Sequence, residues 1–393
     1  MRTLPKNEIR RMEMNDFTFS VPQEILFGQG SLQKLPSVME KLGSKHTFII
    51  SGPHLNKMGV VKRVSDILAQ AGVSCDAFTE TEGNPSVETV DKATAAFQAS
   101  GADSLIALGG GSPMDVAKAV GVLAKYGGSI TEYEGGGKVP GDIIPLVAVP
   151  TTAGTGSEVT AFSVITDHSR NYKLTVFSYK LIPSYAILDP DMITSLPASV
   201  AAATGVDAMV HALEAYLSTA ASPFSDAMAE KALELIGGNI RAFVSNRSNV
   251  EAAKAMLAGS LFAGIAFSWA RLGDVHAMAH PLGGFFNVPH GVANAILLPV
   301  VVDYNALADT GKYEKIYRYI AKDPEEKFTT DMLAAEIRSL TASLGIPKNL
   351  TEVGVTGDKI PAMAQDAMKS GNIAVNPRST TQKDIENLYK KAM

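Results

Sequence analysis

The chain has 393 residues, 46% of them apolar and 19% charged, which excludes a disordered polymer and favours a folded protein of two domains. A formal net charge of −5 gives no electrostatic reason for nucleic acid or an anionic membrane to be a partner. The single cysteine, Cys75, rules out an internal disulfide and points to a reducing cytoplasm.

The first residues, MRTLPKNEIRRMEMNDF, carry basic groups with no apolar stretch behind them and do not read as a secretory signal. No apolar run approaches the roughly 20 residues that span a bilayer. From there the chain alternates. The β-branched runs HTFIIS (46–51), SLIALGG (104–110) and PLVAVPTT (145–152) are separated by amphipathic stretches such as VKRVSDILAQAG (61–72). That order implies parallel strands with helical crossovers. FSVITD (162–167), KLTVFS (173–178) and YAILDP (185–190) are further strand-like segments.

After about residue 192 the composition turns to Ala, Leu and Met with helical periodicity, in 199–218, 226–240 and 251–267. The tail 380–393 is another helix, opened by a Thr cap. The expected organisation is an α/β domain over 1–192 and an all-helical domain over 193–393, with ligands in the cleft between them.

Three glycine-rich stretches lie in the first half. LIALGGGSPMDVAKAV (105–120) passes from strand through Gly109, Gly110, Gly111 and Ser112 into a helix carrying Pro113 in its first turn. Glycine lets a backbone approach a ligand, and the helix start offers free N–H groups, so a phosphate fits there; an ordinary tight turn has the same pattern. The usual dinucleotide fingerprint is absent, because Met114 stands where a third glycine belongs. EGGGKVPG (134–141) fails as a P-loop, with Glu132 and Val139 at the decisive positions, and reads as a surface loop. PTTAGTGSEVT (150–160) is dense in hydroxyls that suit a second part of a nucleotide. No G-x-S-x-G elbow supports a serine hydrolase.

In GVDAMVHALEAY (205–216), Asp207 and His211 are four apart, on one helix face, and suit a divalent first-row metal. HAMAHPLGGFFNVPH (276–290) adds His276, His280 and His290. On an unbroken helix, fourteen residues would set His276 and His290 about 21 Å apart. Pro281, Gly283, Gly284 and Pro289 argue for a turn that brings His290 back. Three unpaired imidazoles in an apolar region are costly without a shared purpose. Spacing does not choose among them, and the helical pair His276/His280 is the simplest choice.

These four motifs, in this order, resemble the iron-containing (group III) alcohol dehydrogenase family, from VPQEILFGQGSLQKL (21–35) to the last helix. The resemblance implies a dehydroquinate synthase-like fold: a Rossmann-like nucleotide domain, then a helical metal-binding domain. It implies Asp207, His211, His276 and His290 as metal ligands, with His280 beside the nicotinamide. Gly110, Gly111, Ser112 and Asp115 would meet the pyrophosphate. Thr151, Thr152, Thr155, Lys173 and Asn84 would line the rest of the NAD or NADP pocket. The implied reaction is hydride transfer between NAD(P)H and a small aldehyde or primary alcohol, with Fe2+ as Lewis acid. Zn2+ or another divalent ion can bind such a site. A glycerol-dehydrogenase-like polyol oxidoreductase or a metal-dependent lyase are the alternatives on this fold. Relatives are usually homodimers or larger.

Four positions depart from the family pattern or mark the substrate pocket. Phe162 and Phe267 match pocket-wall positions. Arg271 is unusual, and either meets an anionic substrate group or pairs with Asp274 on its own helix. Gly52 stands where NAD-preferring relatives often carry Asp, which would repel a 2′-phosphate. The absence of that Asp removes a barrier to NADP, so NADP is expected to be accepted as well as NAD, and measurement of both catalytic efficiencies decides it: a strong preference for NAD refutes the role given to Gly52.

Overall fold

The computed structural model describes Phe17, Phe19, Val21 and residues 23–393 apart from Asn171. The basic N-terminal stretch falls outside the described residues. In chain order come β1 (Glu24–Phe27), α1 (Leu35–Leu42), β2 (His46–Ile50), α2 (Pro53–Lys57), α3 (Val60–Gln70) and β3 (Ser74–Phe78). Then follow α4 (Val87–Ser100), β4 (Ser104–Gly109), α5 (Gly111–Tyr126), β5 (Gly135–Gly136), β6 (Leu146–Pro150), β7 (Phe162–Asp167), β8 (Tyr172–Phe177) and β9 (Tyr185–Leu188). The rest is helical: α6 (Ala198–Leu217), α7 (Pro223–Ser245), α8 (Val250–Ala270), α9 (Asp274–Phe286) and α10 (His290–Asn305). The last four are α11 (Lys312–Ile320), α12 (Thr330–Ser343), α13 (Ile360–Ala367) and α14 (Gln382–Ala392).

Six strands form a parallel sheet in the order β1-β9-β6-β4-β2-β3. Period-two alternation divides its side chains between two cores. Phe48, Ile50, Leu105 and Ala107 face one helix layer, while Ile49, Ile106 and Leu108 face the other. Both faces are therefore dry, which is why these strands read as continuous apolar runs.

The pairing of the later strand-like segments, which their sequence leaves open, is settled in a second sheet. β7 and β8 do not extend the parallel array but pair antiparallel in a separate three-stranded sheet, β5-β8-β7. EGGGKVPG is not wholly loop either: Gly135 and Gly136 form β5 and pair with Val176 and Phe177. A Cβ on Gly136 would touch the Phe177 ring at 3.3 Å, so glycine there lets the strand close on an aromatic.

The helical half packs round one large core. Two of its segments, Val250–Ala270 and His290–Ala308, are long and apolar enough to cross a bilayer by length and composition, contrary to the sequence reading. In the fold 61% and 56% of their apolar windows are buried, and their small residues serve close helix packing.

The turn after α9 also falls elsewhere than expected. Pro281, Gly283 and Gly284 do not break the helix, which runs on to Phe286. The chain reverses at Asn287, a non-glycine residue at φ 55°, then passes Val288 and Pro289 to start α10 at His290. Asn tolerates this left-handed conformation, and the Asn287 N–H bonds the Gly283 carbonyl at 3.1 Å. The reversal brings His290 back towards His276.

Candidate metal and nucleotide site

Asp207 and His211 stand one turn apart on α6, and both are buried. Asp207, His276 and His290 converge so that one atom from each lies within 4.8 Å of the others. The Asp207 Oδ1 atom is 3.7 Å from Nε2 of His276 and 3.7 Å from Nε2 of His290. Ligands about 2.1 Å from a tetrahedral ion stand about 3.4 Å apart, so the spacing fits a first-row divalent cation. One hard oxygen and borderline imidazole nitrogens suit Fe2+ or Zn2+.

His211 lies just outside that trio. Its ring is stacked between His276 and Phe267, with centroids 4.5 Å from each. Its Nδ1 is 3.2 Å from the Gly154 carbonyl. A carbonyl only accepts, so Nδ1 carries the proton and Nε2 keeps its lone pair for a metal. His280 is not part of the trio either: its ring stacks on His290 at 5.5 Å and meets His276 edge-on at 6.4 Å.

Electrostatics keep the cluster ready for a cation. Burial pushes His211 down to about 4, His290 to about 3 and His280 well below its ordinary value, so these rings are neutral at pH 7. Burial acts against ionisation of Asp207 as well, yet His211, His290 and a hydrogen bond with His276 hold it below the usual carboxylate range. His276 goes the other way, up to about 9, because its bonds to Asp207 and Glu214 outweigh burial, so a cation binding at its Nε2 would displace a proton there.

Two residues in this shell were not singled out from the sequence. Glu214 Oε2 accepts the Nδ1 proton of His276 at 2.6 Å, and Oε1 accepts the Val275 N–H at 2.7 Å. This fixes the tautomer that presents Nε2 to a metal. The signal was present: Glu214 lies three residues after His211, on the same helix face. Asn294, four residues after His290, points its amide into the trio. Its Nδ2 is 2.6 Å from Asp207 Oδ1, 3.1 Å from His276 Nε2 and 3.2 Å from His290 Nε2. The Asn294 Oδ1 is buried with no partner among the described residues. A carboxylate and two imidazole nitrogens converging on one point are the donor chemistry of a cation site.

Across the cleft, two loops pack into one cradle. A Cβ on Gly110 would lie 3.1 Å from Thr152 Oγ1, and one on Gly111 would lie 3.0 Å from Thr155 Cγ2. Gly109, at φ 153°, abuts Pro113, and the Thr151 N–H bonds the Gly109 carbonyl at 3.0 Å. Ser112 sits in the first turn of α5, at the positive end of a 16-residue helix. Asp115 accepts from Ser157 Oγ at 3.1 Å, and burial pushes its carboxyl up to about 6. Lys173 on β8 donates to Asn84 Oδ1 at 2.7 Å, with Asn84 at φ 56°. Lys173 reaches towards the helical half: a Cβ on Gly283 of α9 would lie 3.3 Å from its Nζ. Gly52 opens α2, where a Cβ would press on the Thr81 carbonyl at 3.1 Å.

Phe162 and Phe267 are stacked with centroids 6.4 Å apart. Arg271 lies one turn after Phe267, its N–H bonding the Phe267 carbonyl at 2.8 Å. It ends α8 at φ 64°, is exposed, and its guanidinium lies against Gly371. It makes no ion pair with Asp274, which instead accepts from Thr380 Oγ1 at 2.6 Å.

A doubly layered parallel sheet with a glycine cradle, facing a helical body with a carboxylate–imidazole centre, defines a two-domain metal-dependent nucleotide oxidoreductase. Comparisons with known proteins sharpen this. Residues 22–190 match the model of the iron-containing alcohol dehydrogenases, and residues 201–393 match the C-terminal model of the same family. A 1,3-propanediol dehydrogenase of Citrobacter freundii is 37% identical over 97% of this chain and 100% of its own. A lactaldehyde reductase of Escherichia coli (strain K12) is 39% identical over 93% of this chain and 97% of its own. The crystal structure of a 1,3-propanediol oxidoreductase superposes with a TM-score of 0.93 at 37% identity, covering 96% of this chain and 100% of that one. The chain belongs to the iron-containing alcohol dehydrogenase family. It is an alcohol/aldehyde oxidoreductase with Fe2+ and NAD(H) as cofactors, and the polyol and lyase alternatives are not favoured.

The bond from Glu214 to His276 generates a prediction. Glu214→Ala should weaken metal binding by about 10- to 100-fold, and Glu214→Gln, which keeps a hydrogen-bond acceptor, by less. Competition with a chromogenic chelator measures both, and unchanged affinity in the Ala variant refutes the role.

Proposed function

We propose that the chain reduces a small aldehyde, or oxidises the matching primary alcohol, at a centre held by Asp207, His211, His276 and His290. The convergence of Asp207, His276 and His290 carries this reading. Bound Fe2+ supplies Lewis acidity towards the substrate oxygen, and NAD(H) supplies or accepts hydride. Gly110, Gly111, Ser112 and Asp115 serve the pyrophosphate, with Gly52, Thr151, Thr152 and Thr155 along the nucleotide. Lys173, fixed by Asn84, orients ribose hydroxyls, and its cation accommodates the additional phosphate of NADP. His280 stands beside the nicotinamide. Phe162 and Phe267 narrow the pocket and exclude water, which favours short substrates.

The same reading divides the chain into a nucleotide domain over 1–192 and a metal and substrate domain over 193–393. It makes the protein cytoplasmic, on the strength of its lone cysteine, and a homo-oligomer. Purified protein incubated anaerobically with NADH and short neutral aldehydes should turn over with added ferrous iron and lose activity with chelator. Absence of NADH oxidation with every aldehyde, with iron present, refutes the proposal.

A second reading rests on Arg271, which is exposed and has no ion-pair partner among the described residues. Its guanidinium suits an aldehyde bearing a carboxylate, sulfonate or phosphonate. Arg271→Ala should then raise KM for anionic aldehydes by about tenfold or more while sparing neutral ones. An unchanged KM for every anionic aldehyde sinks this reading.

A further inference from the structure

Lys118 is a lysine with no exposed surface, seven residues along α5 from Gly111, and no step above uses it. Its ammonium donates to three main-chain carbonyls: Ser157 at 2.7 Å, Thr160 at 2.9 Å and Phe162 at 2.8 Å. It also lies 3.1 Å from the hydroxyls of Ser157 and Thr160. All five acceptors belong to one stretch, the connection from β6 to β7. Burying an ammonium is costly unless every donor is matched, so this arrangement holds the loop in one conformation. Burial works against the charge, and Asp115 on its own helix and Glu158 on the loop partly offset that cost.

That loop is a junction. Ser157, held by Lys118, donates its N–H to Thr155 Oγ1 at 3.2 Å, and Thr155 packs on Gly111. Gly154 supplies the carbonyl that fixes His211. Gly156, at φ 61°, would bring a Cβ to 2.7 Å from the Gly264 Cα, so the loop meets α8 backbone to backbone. The α5 helix thus presents its N-terminus to one side of the nucleotide cradle and, two turns on, clamps the other side.

We infer that Lys118 is a positioning residue for the cofactor, acting through loop 151–162 without touching the nucleotide. The inference rests on the proposed role of that loop in holding NAD(H). In the iron-loaded enzyme, Lys118→Met should raise the Kd for NAD+ by about tenfold in calorimetric titration, since hydrogen bonds to a charged group are lost. At saturating NAD+, kcat should stay within about twofold, because bound cofactor restores the loop. Thr160→Val removes one hydroxyl contact and keeps the side-chain volume. It should raise Kd by about threefold, and it carries the test if Lys118→Met does not fold. Thr155→Val serves as the control for the loop itself. If Thr155→Val weakens NAD+ binding while Lys118→Met or Thr160→Val leaves it unchanged, the inference is wrong and the loop assignment survives. If Thr155→Val has no effect, the loop does not hold the nucleotide and both fall.

Discussion

The structure is organised round one buried carboxylate. Asp207 is 3% exposed and stays ionised inside an apolar helical body, so compensating groups have to be built round it. Three imidazoles and an amide supply them, from three helices. α6 carries Asp207 and His211, α9 brings His276, and the reversal at Asn287 returns His290 and Asn294 on α10. A divalent ion fits this arrangement because it offsets the carboxylate, uses the lone pairs that burial keeps unprotonated on His211 and His290, and would take the place of the Nε2 proton of His276. The outer partners Glu214 and Gly154 are the necessary complement, each holding the Nδ1 proton of one histidine.

The α/β half meets this centre mainly through loop 151–162, with Lys173 of β8 against Gly283 of α9 as a second contact. Loop 151–162 leaves the C-terminal end of a central strand, where open parallel sheets commonly bind nucleotides. It touches the glycine turn of α5 on one side and α6 and α8 on the other. Small residues at Gly110, Gly111, Gly156 and Gly264 let these segments approach at backbone distance. Cofactor cradle and metal centre are therefore parts of one packed unit.

Much of this was legible in the sequence because the signals are local. FSVITD is β7 residue for residue, and the Ala-rich periodicities fall on α6, α7 and α8. Asp207 and His211 declared their shared face by spacing alone. Partnership over distance was less visible. That β7 and β8 leave the main sheet depends on pairing, which their composition does not encode. Pro281 and two glycines suggested a break in α9, but tertiary packing carries the helix through and moves the turn to Asn287. Which histidines converge depended on that turn, and spacing alone left the choice open: His276 meets His290, with His280 to one side. Glu214 and Lys118 looked like ordinary charged helix residues, because only the fold reveals that both are buried.

The loop between β6 and β7 carries an evolutionary consequence. Its atoms are referenced simultaneously to a buried lysine of α5, to the His211 ring and to a helix backbone at contact distance. Insertion or deletion of one residue there would throw at least two of those references out of step. A change of length is therefore costlier here than in an ordinary surface connection, and the side chains that face none of the three anchors are the ones physically free to vary.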